Sequence, residues 1–383
     1  MRTRGIMKKK IALIFGGRSV ERDISVITAV QTYKALDDKR YAVVPIFIYE
    51  GDFYTGNLKT LKDFAPFVPT AHKKLALVGG TFCQLKKNKL IPVVKPDVVV
   101  NCCHGGEGEN GTIAGLLEFN GLAHTSPSVL PSALCMDKAE SKIVFDSLFV
   151  NTAKGKSFFR QDYEENKEEV LNNIENRIDY PMIVKPAHLG SSIGINVATD
   201  KDELQFACDV AVEFDDKILV EHRLVGIVEV NCACFRNGNE LVISETEQPL
   251  SKSDFLTFAE KYSTGKLSGG GHIIPAEIGN LNQQIKEITA LLYEKLELDG
   301  VVRFDYLVDA EREKIYINEV NTVPGSLAYY LFEKVGISFG EMLDKIIENA
   351  ESKFLDRKSR TRSFTTDILT NFKEGSKQPK LNP

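Results

Sequence analysis

No apolar run in the 383-residue chain approaches the roughly 20 residues needed to cross a bilayer, which excludes a helical membrane protein. Basic residues are not in excess: 48 Lys and Arg stand against 53 Asp and Glu, a net charge of −5, so nucleic-acid binding is not the main business of the chain. The seven cysteines include no Cys-x-x-Cys pair, and the adjacent Cys102 and Cys103 sit in an apolar, strand-like segment; they read as reduced core thiols. The P-loop spacing G-x-x-x-x-G-K-[ST] is missing, and no G-x-G-x-x-G follows the first strand-like run. Internal repeats are not evident. The start, MRTRGIMKKK, passes directly into a strand-like run rather than the h-region of a signal peptide, so a cytoplasmic location is expected.

What is present is ordinary globular usage, 43% hydrophobic and 26% charged residues. At about 100–200 residues per domain, the length predicts two to three domains.

The most informative stretch is 301–327, VVRFDYLVDAEREKIYINEVNTVPGSL. Apolar residues flank Arg303 and Asp305 on one run and Glu319 and Asn321 on the other, and the polar segment 310–314 between them reads as a hairpin turn. A register symmetric about that turn puts Asp305 opposite Glu319 and Arg303 opposite Asn321, all on one face. Two carboxylates and an amide oxygen suit a hard cation such as Mg²⁺, and the arginine suits an anion. A cross-strand salt bridge on a solvated hairpin is the other reading. The continuation Asn321-Thr-Val-Pro-Gly-Ser326 favours a phosphate and metal site, because it offers a turn with backbone amides beside the carboxylates.

Elsewhere the chemistry is more dispersed. A buried-strand run at 10–15, the turn Gly16-Gly17-Arg18-Ser19 and a helical pattern over 25–36 form the first unit of an open parallel α/β sheet. Glu21, alone, reads as a helix-start acid complementing the dipole. His104, in a loop rich in glycine and acid after a strand at 97–101, reads alone as a structural residue. Residues 134–142 are helical, with lysines expected on a solvated face. Lys185 lies on a strand at 181–186, followed by the Gly/Ser loop 187–194, whose backbone N–H groups and hydroxyls can meet a phosphate. The strand 218–221 with its charged end reads as a sheet edge, and 250–271 as a long loop of the type that forms lids.

These segments together resemble the ATP-grasp ligases, and residues 8–350 resemble the D-alanine:D-alanine ligase family. The motifs recur in order: Glu21 in its polar cluster, His104-Gly105 followed by Gly108-Glu-Asn-Gly-Thr-Ile-Ala-Gly-Leu-Leu-Glu118, Lys185 with its Gly-Ser-Ser-x-Gly flap, and the 301–327 hairpin. The resemblance implies an α/β ATP-grasp fold, in which an amino-terminal open parallel sheet domain (1–127) precedes two α+β domains (128–221 and 222–350) that clamp ATP. It implies that Glu21 holds the ammonium of the first D-alanine and that His104 lies near its carboxylate. Lys138, Lys185 and Lys261 would reach nucleotide phosphates, with Ser192 in the flap; Glu221, His222 and Leu224 would form the adenine hinge. Ser191 and Tyr262 would close over the site with Glu21, and Asp305, Glu319 and Asn321 would hold Mg²⁺ or Mn²⁺, two ions in all.

The implied reaction is ATP-dependent joining of two D-alanines through an acyl phosphate, with Arg303 and the Gly325 amide stabilising the oxyanion, as preorganised donors do in acyl transfer. It serves peptidoglycan precursor synthesis, in a homodimer with no nucleic-acid or membrane partner. Tyrosine at 262 points to an amine acceptor. Two departures stand out: Gly226-Ile-Val-Glu229 places the ribose glutamate one residue late, and Tyr330, before Leu331, stands where the family has a serine for the acceptor carboxylate. Two alternatives remain. Another ATP-grasp carboxylate–amine ligase would need Lys185, Asp305, Glu319 and Asn321 but not Glu21, His104 or Tyr262, and a non-catalytic ATP-binding regulator would tolerate loss of Asn321. The tail 351–383 lies beyond the resemblance and is expected to be partly disordered, with 364–372 able to pack on the body or a neighbouring subunit.

Overall fold

The structure, a computed structural model, describes residues 8–250 and 271–360. Strand β1 (Lys9–Gly16) is a continuous buried run from Ile11 onward, as expected of a strand covered on both faces. The chain turns at Gly16, where a side chain would collide with the Ile48 carbonyl and φ is +95°. Helix α1 (Arg22–Ala35) then packs Val26, Ala29 and Val30 back onto the sheet. Strand β2 (Tyr41–Tyr49) pairs parallel to β1. An antiparallel meander follows, β3 (Asp52–Thr55), β4 (Lys73–Val78), β5 (Thr81–Lys86) and β6 (Lys89–Val94), before β7 (Val98–Asn101) returns parallel to β1 on its other side. The sheet order is β6-β5-β4-β3-β2-β1-β7, so the parallel part is the three strands whose carboxyl ends carry the site.

The middle of the chain forms an antiparallel sheet, order β10-β9-β11-β8, from β8 (Gly155–Phe159), β9 (Met182–Pro186), β10 (Asn196–Ala198) and β11 (Lys217–His222). The helix Lys201–Ala211, capped by Asp200 on the Glu203 amide, buries Leu204, Ala207, Cys208 and Ala211 at helical spacing against it. A third sheet, order β13-β12-β16-β17, contains β12 (Val228–Asn237), β13 (Glu240–Ile243), β16 (Val302–Asp309) and β17 (Lys314–Asn321), with the helix Leu281–Lys295 on its apolar face. A small ribbon, β14 (Gln248–Pro249) with β15 (His272–Ile273), flanks the undescribed loop.

Two sequence expectations change. The helical run expected over 134–142 is two helices, Val129–Met136 and Lys138–Ser147, because Asp137 breaks it and caps the second through the Ala139 and Glu140 amides. The boundary expected at 350 falls inside the helix Phe339–Ser359. That helix shares a core with β1, β7 and α1 through Met342, Leu343, Ile346 and Ile347. It is also tied down by Lys9–Glu351 at 2.6 Å, Arg357–Glu118 at 3.0 Å and Lys353–Asp299, so residues 351–359 are ordered. The segment 364–372 lies outside the described residues. All seven cysteines are buried and unpaired in disulfides, in line with the core-thiol reading.

Candidate active site

The hairpin β16–β17 pairs Arg303 with Asn321 and Asp305 with Glu319, as the sequence predicted, but the turn alone does not produce this register. From Asp309–Lys314 down to Tyr306–Ile317 the pairing would bring Asp305 opposite Asn318; a bulge at Asn318 shifts it by one. The bulge leaves both Asn318 and Glu319 outside the core while Ile317 and Val320 stay in it. Arg303 grips both oxygens of Asp305, at 2.7 and 2.8 Å, and the Asn321 amide donates to Asp305 at 2.9 Å. Burial alone would lower the guanidinium pKa, but Asp305, Tyr330 and Glu247 hold it charged.

A cleft of about 520 Å³ lies between the second and third sheets. Lys138, Lys185, Ser191, Ser192, Glu221, His222, Leu224, Glu229, Asp305 and Glu319 line it, so the sequence candidates converge there. Along β9 and β16 an apolar residue sits two positions from each ion on the same face, Ile183 with Lys185 and Leu307 with Asp305. The cleft therefore has a charged end and an apolar end. Lys138 donates to the Leu189 carbonyl at 2.6 Å and lies 3.5 Å from Glu319; Lys185 donates to Asn318 at 3.1 Å and pairs with Glu221 at 2.7 Å.

The sequence missed Lys142. Expected on a solvated face, it is buried and pairs with Glu221 at 2.7 Å. The Glu221 carboxyl is 1% exposed; burial would raise its pKa, but Lys142 and Lys185 hold it down at about 2. With its side chain so committed, Glu221 can offer a base only its backbone.

Glu21 sits at the N-cap of α1 yet makes no capping hydrogen bond; its carboxylate instead accepts from the Ser191 hydroxyl of the flap. Gly105 and Gly190 give it room, since a side chain at either would press on the Glu21 carboxylate. The flap serines 191 and 192 both take left-handed φ, 55° and 59°, a conformation unfavourable for residues other than glycine and typical of functional loops.

His104 is 3% exposed, and both ring nitrogens bond within the protein. Nδ1 donates to the Val323 carbonyl, which leaves Nε2 to accept from the Thr28 hydroxyl at 2.8 Å; Thr28 in turn accepts from the Ser326 amide at 2.9 Å. Burial, with Arg303 adding to it against the pull of the Val323 carbonyl, pushes the ring pKa down to about 4, so it is neutral. His104 thus pins α1 to the 322–326 turn rather than presenting a cation to a substrate carboxylate. Glu109 does similar work unforeseen, accepting from the Gly105 amide at 2.9 Å and the Val323 amide at 3.3 Å. Residues 106–111 match G-x-G-x-x-G formally, but the Gly108 and Asn110 amides donate to the Gly105 and Gly106 carbonyls, at 3.0 and 2.9 Å, rather than pointing out to a phosphate.

Gly325 opens a short turn whose next three residues, Ser326, Leu327 and Ala328, all have positive φ. Leu331 is fully buried in the amino-terminal core, so its side chain is not a ligand contact. The Tyr330 hydroxyl, expected to be available to an acceptor, donates to Glu247 at 2.9 Å. Glu247 also accepts from Asn231 at 2.9 Å and pairs with His272 at 2.6 Å. Lys261 and Tyr262 lie outside the described residues.

At the root of the flap, His188 bridges Asp215 at 2.9 Å and Asp137 at 3.2 Å, beside Lys217. These hydrogen bonds, first to Asp137 and then to Asp215, outweigh burial and raise its pKa to about 9. A raised histidine stabilises fully below its unfolded value near 6.5 and loses that contribution as pH climbs through 9. His188→Ala is therefore expected to lower Tm at about pH 6, by only about 2–4 °C because the ring is half-exposed, with the gap closing above about pH 9. Calorimetry of both proteins across that range checks it; a gap that widens with pH contradicts the assignment.

No helix among the described residues is long and apolar enough to cross a membrane. Residues 10–127 match the family described as D-ala D-ala ligase N-terminus, and 144–348 match D-ala D-ala ligase C-terminus. The chain is 37% identical over 373 residues to the D-alanine--D-alanine ligase of Thermosipho melanesiensis, covering 94% of this chain and 98% of that one. The enzyme of the same name from Thermosipho africanus is 35% identical over 366 residues, with coverage of 94% and 98%. The crystal structure of VanG D-Ala:D-Ser ligase from Enterococcus faecalis superimposes with a TM-score of 0.77 at 29% identity, covering 90% of this chain and all of that one, 100%. Three-sheet architecture, cleft and matches over most of the chain agree, and the chain belongs to the D-alanine--D-alanine ligase family, with the ATP-grasp fold.

Proposed function

We propose that the cleft and the Glu21–Ser191 junction divide the family reaction between them. The chain is an ADP-forming ligase that uses ATP to join two D-alanines for peptidoglycan precursors. The carboxylate of the first D-alanine takes the γ-phosphoryl group, releasing ADP; the amine of the second attacks the resulting acyl phosphate, forming the peptide bond and expelling phosphate. Lys138 and Lys185 at the charged end of the cleft serve the phosphates, and the apolar end with the 221–224 backbone serves the adenine. The assignment rests above all on Glu21, whose carboxylate faces the flap serine instead of capping its own helix. There it can take the ammonium of the first D-alanine. Arg303 and the Gly325 turn border the place where the oxyanion develops.

Asp305, Glu319 and the Asn321 amide oxygen form a hard donor set on one hairpin face, and they fit Mg²⁺ or Mn²⁺, which take one or two carboxylates together with phosphates. Bound there, two ions would neutralise charge on the transferring oxygens. The undescribed loop carries Lys261 and Tyr262, which we assign to closing the site against water. We assign the units 1–127, 128–221 and 222–359, a cytoplasmic location, and a homodimer that covers Leu116, Phe119, Val129 and Leu130, exposed on two helices packed together. No nucleic acid enters this reading.

Tyr330 bears on the acceptor, and a D-Ala:D-Ser ligase is among the structural relatives. The test is phosphate release from ATP and Mg²⁺ with a panel of D- and L-amino acids, with products weighed by mass spectrometry. D-alanine alone is expected to support turnover and give D-alanyl-D-alanine; turnover requiring D-serine as acceptor would discard the acceptor assignment. In the same assay, Tyr330→Ser is expected to leave KM for the first D-alanine unchanged and to shift that for the second by no more than about threefold, since the Tyr330 hydroxyl is already donated to Glu247 and serine is the family residue there.

A further inference from the structure

Four side chains, three of them charged, make a continuous chain through the wall of the cleft. Lys142 reaches Glu221, Glu221 reaches Lys185, and Lys185 reaches Asn318 on the hairpin bulge, at 2.7, 2.7 and 3.1 Å. The chain joins the helix Lys138–Ser147, the second sheet and the third. Lys185 and Glu221 line the cleft, whereas Lys142 lies behind them and reaches only the far oxygen of Glu221.

We propose that Lys142 is a positioning residue for nucleotide binding, acting as a permanent counter-ion to Glu221 so that Lys185 can leave that carboxylate and take a triphosphate. The physical reason is the cost of stranding a buried charge. Glu221 is almost wholly inaccessible to water, and an ion pair broken inside a protein leaves its survivor uncompensated. With Lys142 in place, departure of Lys185 leaves Glu221 paired; without it, Lys185 is held where it is. Spacing supports the assignment: Lys142 is one turn beyond Lys138 on the same helix face, so one helix supplies both a cleft lysine and the counter-ion behind it. The inference rests on ATP as the ligand of the cleft, which the parent protein's own ATP titration tests separately.

The experiment compares Lys142→Met, Lys142→Arg and the double variant Lys142→Met with Glu221→Gln, all in the full chain. Nucleotide affinity is read by calorimetric titration with ATP and Mg²⁺, and KM is measured for ATP and for each D-alanine. Lys142→Met is expected to weaken ATP binding about tenfold or more with D-alanine KM values unchanged. Lys142→Arg keeps the parent affinity. The double variant, which removes both charges of the pair and frees Lys185, is expected to bind ATP at least about threefold more tightly than Lys142→Met, and it folds even if Lys142→Met does not. A double variant as impaired as Lys142→Met, ATP affinity unchanged in Lys142→Met, or KM values for ATP and D-alanine rising together would each overturn the proposal. Failure of the parent to bind ATP would instead refute the reading of the cleft.

Discussion

Replacing Glu319 with glutamine is expected to lower kcat about a thousandfold while shifting Tm by no more than about 2 °C. Glu319 lies on the outer face of the hairpin, with Ile317 and Val320 supplying the core contacts on either side, so the fold does not depend on its charge. The chemistry does. Removing one of two hairpin carboxylates halves the negative charge available to a divalent cation and leaves Lys138, 3.5 Å away, without its counter-charge. A single preorganised group acting on developing charge is typically worth about 3–4 kcal/mol, hence the predicted factor. Turnover measured over a range of Mg²⁺ concentrations checks it: excess metal should recover part of the loss. A kcat within tenfold of the parent at ordinary Mg²⁺ would mean that Glu319 only makes a surface ion pair, the solvated-hairpin reading.

Glu21→Gln gives the second large effect, a fall of about a hundredfold in kcat/KM for the first D-alanine with ATP affinity unchanged. The amide keeps the size of the carboxylate and can still meet the Ser191 hydroxyl, but it no longer offers a charge to an ammonium. Stability should hardly move, because Glu21 makes no capping bond to α1. A helix-start acid would behave oppositely, with lower Tm and nearly intact kinetics. The variant also separates D-alanine ligation from other carboxylate–amine ligations on this fold, which have no use for Glu21. Initial-rate kinetics at saturating ATP, with Tm measured in parallel, tells these outcomes apart.

Much of the site was legible because it is local. Asp305 and Glu319, fourteen residues apart, meet across one hairpin, and alternation in the sequence predicts which face they share. Even there the register came out as expected for a reason the sequence did not display, the bulge at Asn318. Lys185 with its flap was recognisable as strand, glycine and serine. Lys142 was not, because a lysine one turn along an amphipathic helix looks solvated until the helix is docked and Glu221, 79 residues later in the chain, arrives beside it. Tyr330 was visible as a departure, but its partner Glu247 was not.

The sequence by itself determined the first strand–turn–helix unit, the strand and flap of Lys185, the 301–321 hairpin and the identity of the groups that can hold metal and phosphate, because periodicity, glycine turns and side-chain chemistry act over a few residues. Only the tertiary structure decided what those groups are free to do. It neutralised His104 by burying it between Thr28 and Val323, committed the Tyr330 hydroxyl to Glu247, and turned Glu21 from its helix toward the flap. Burial and charge pairing between distant segments set protonation and availability, and neither quantity exists until the three sheets are packed together.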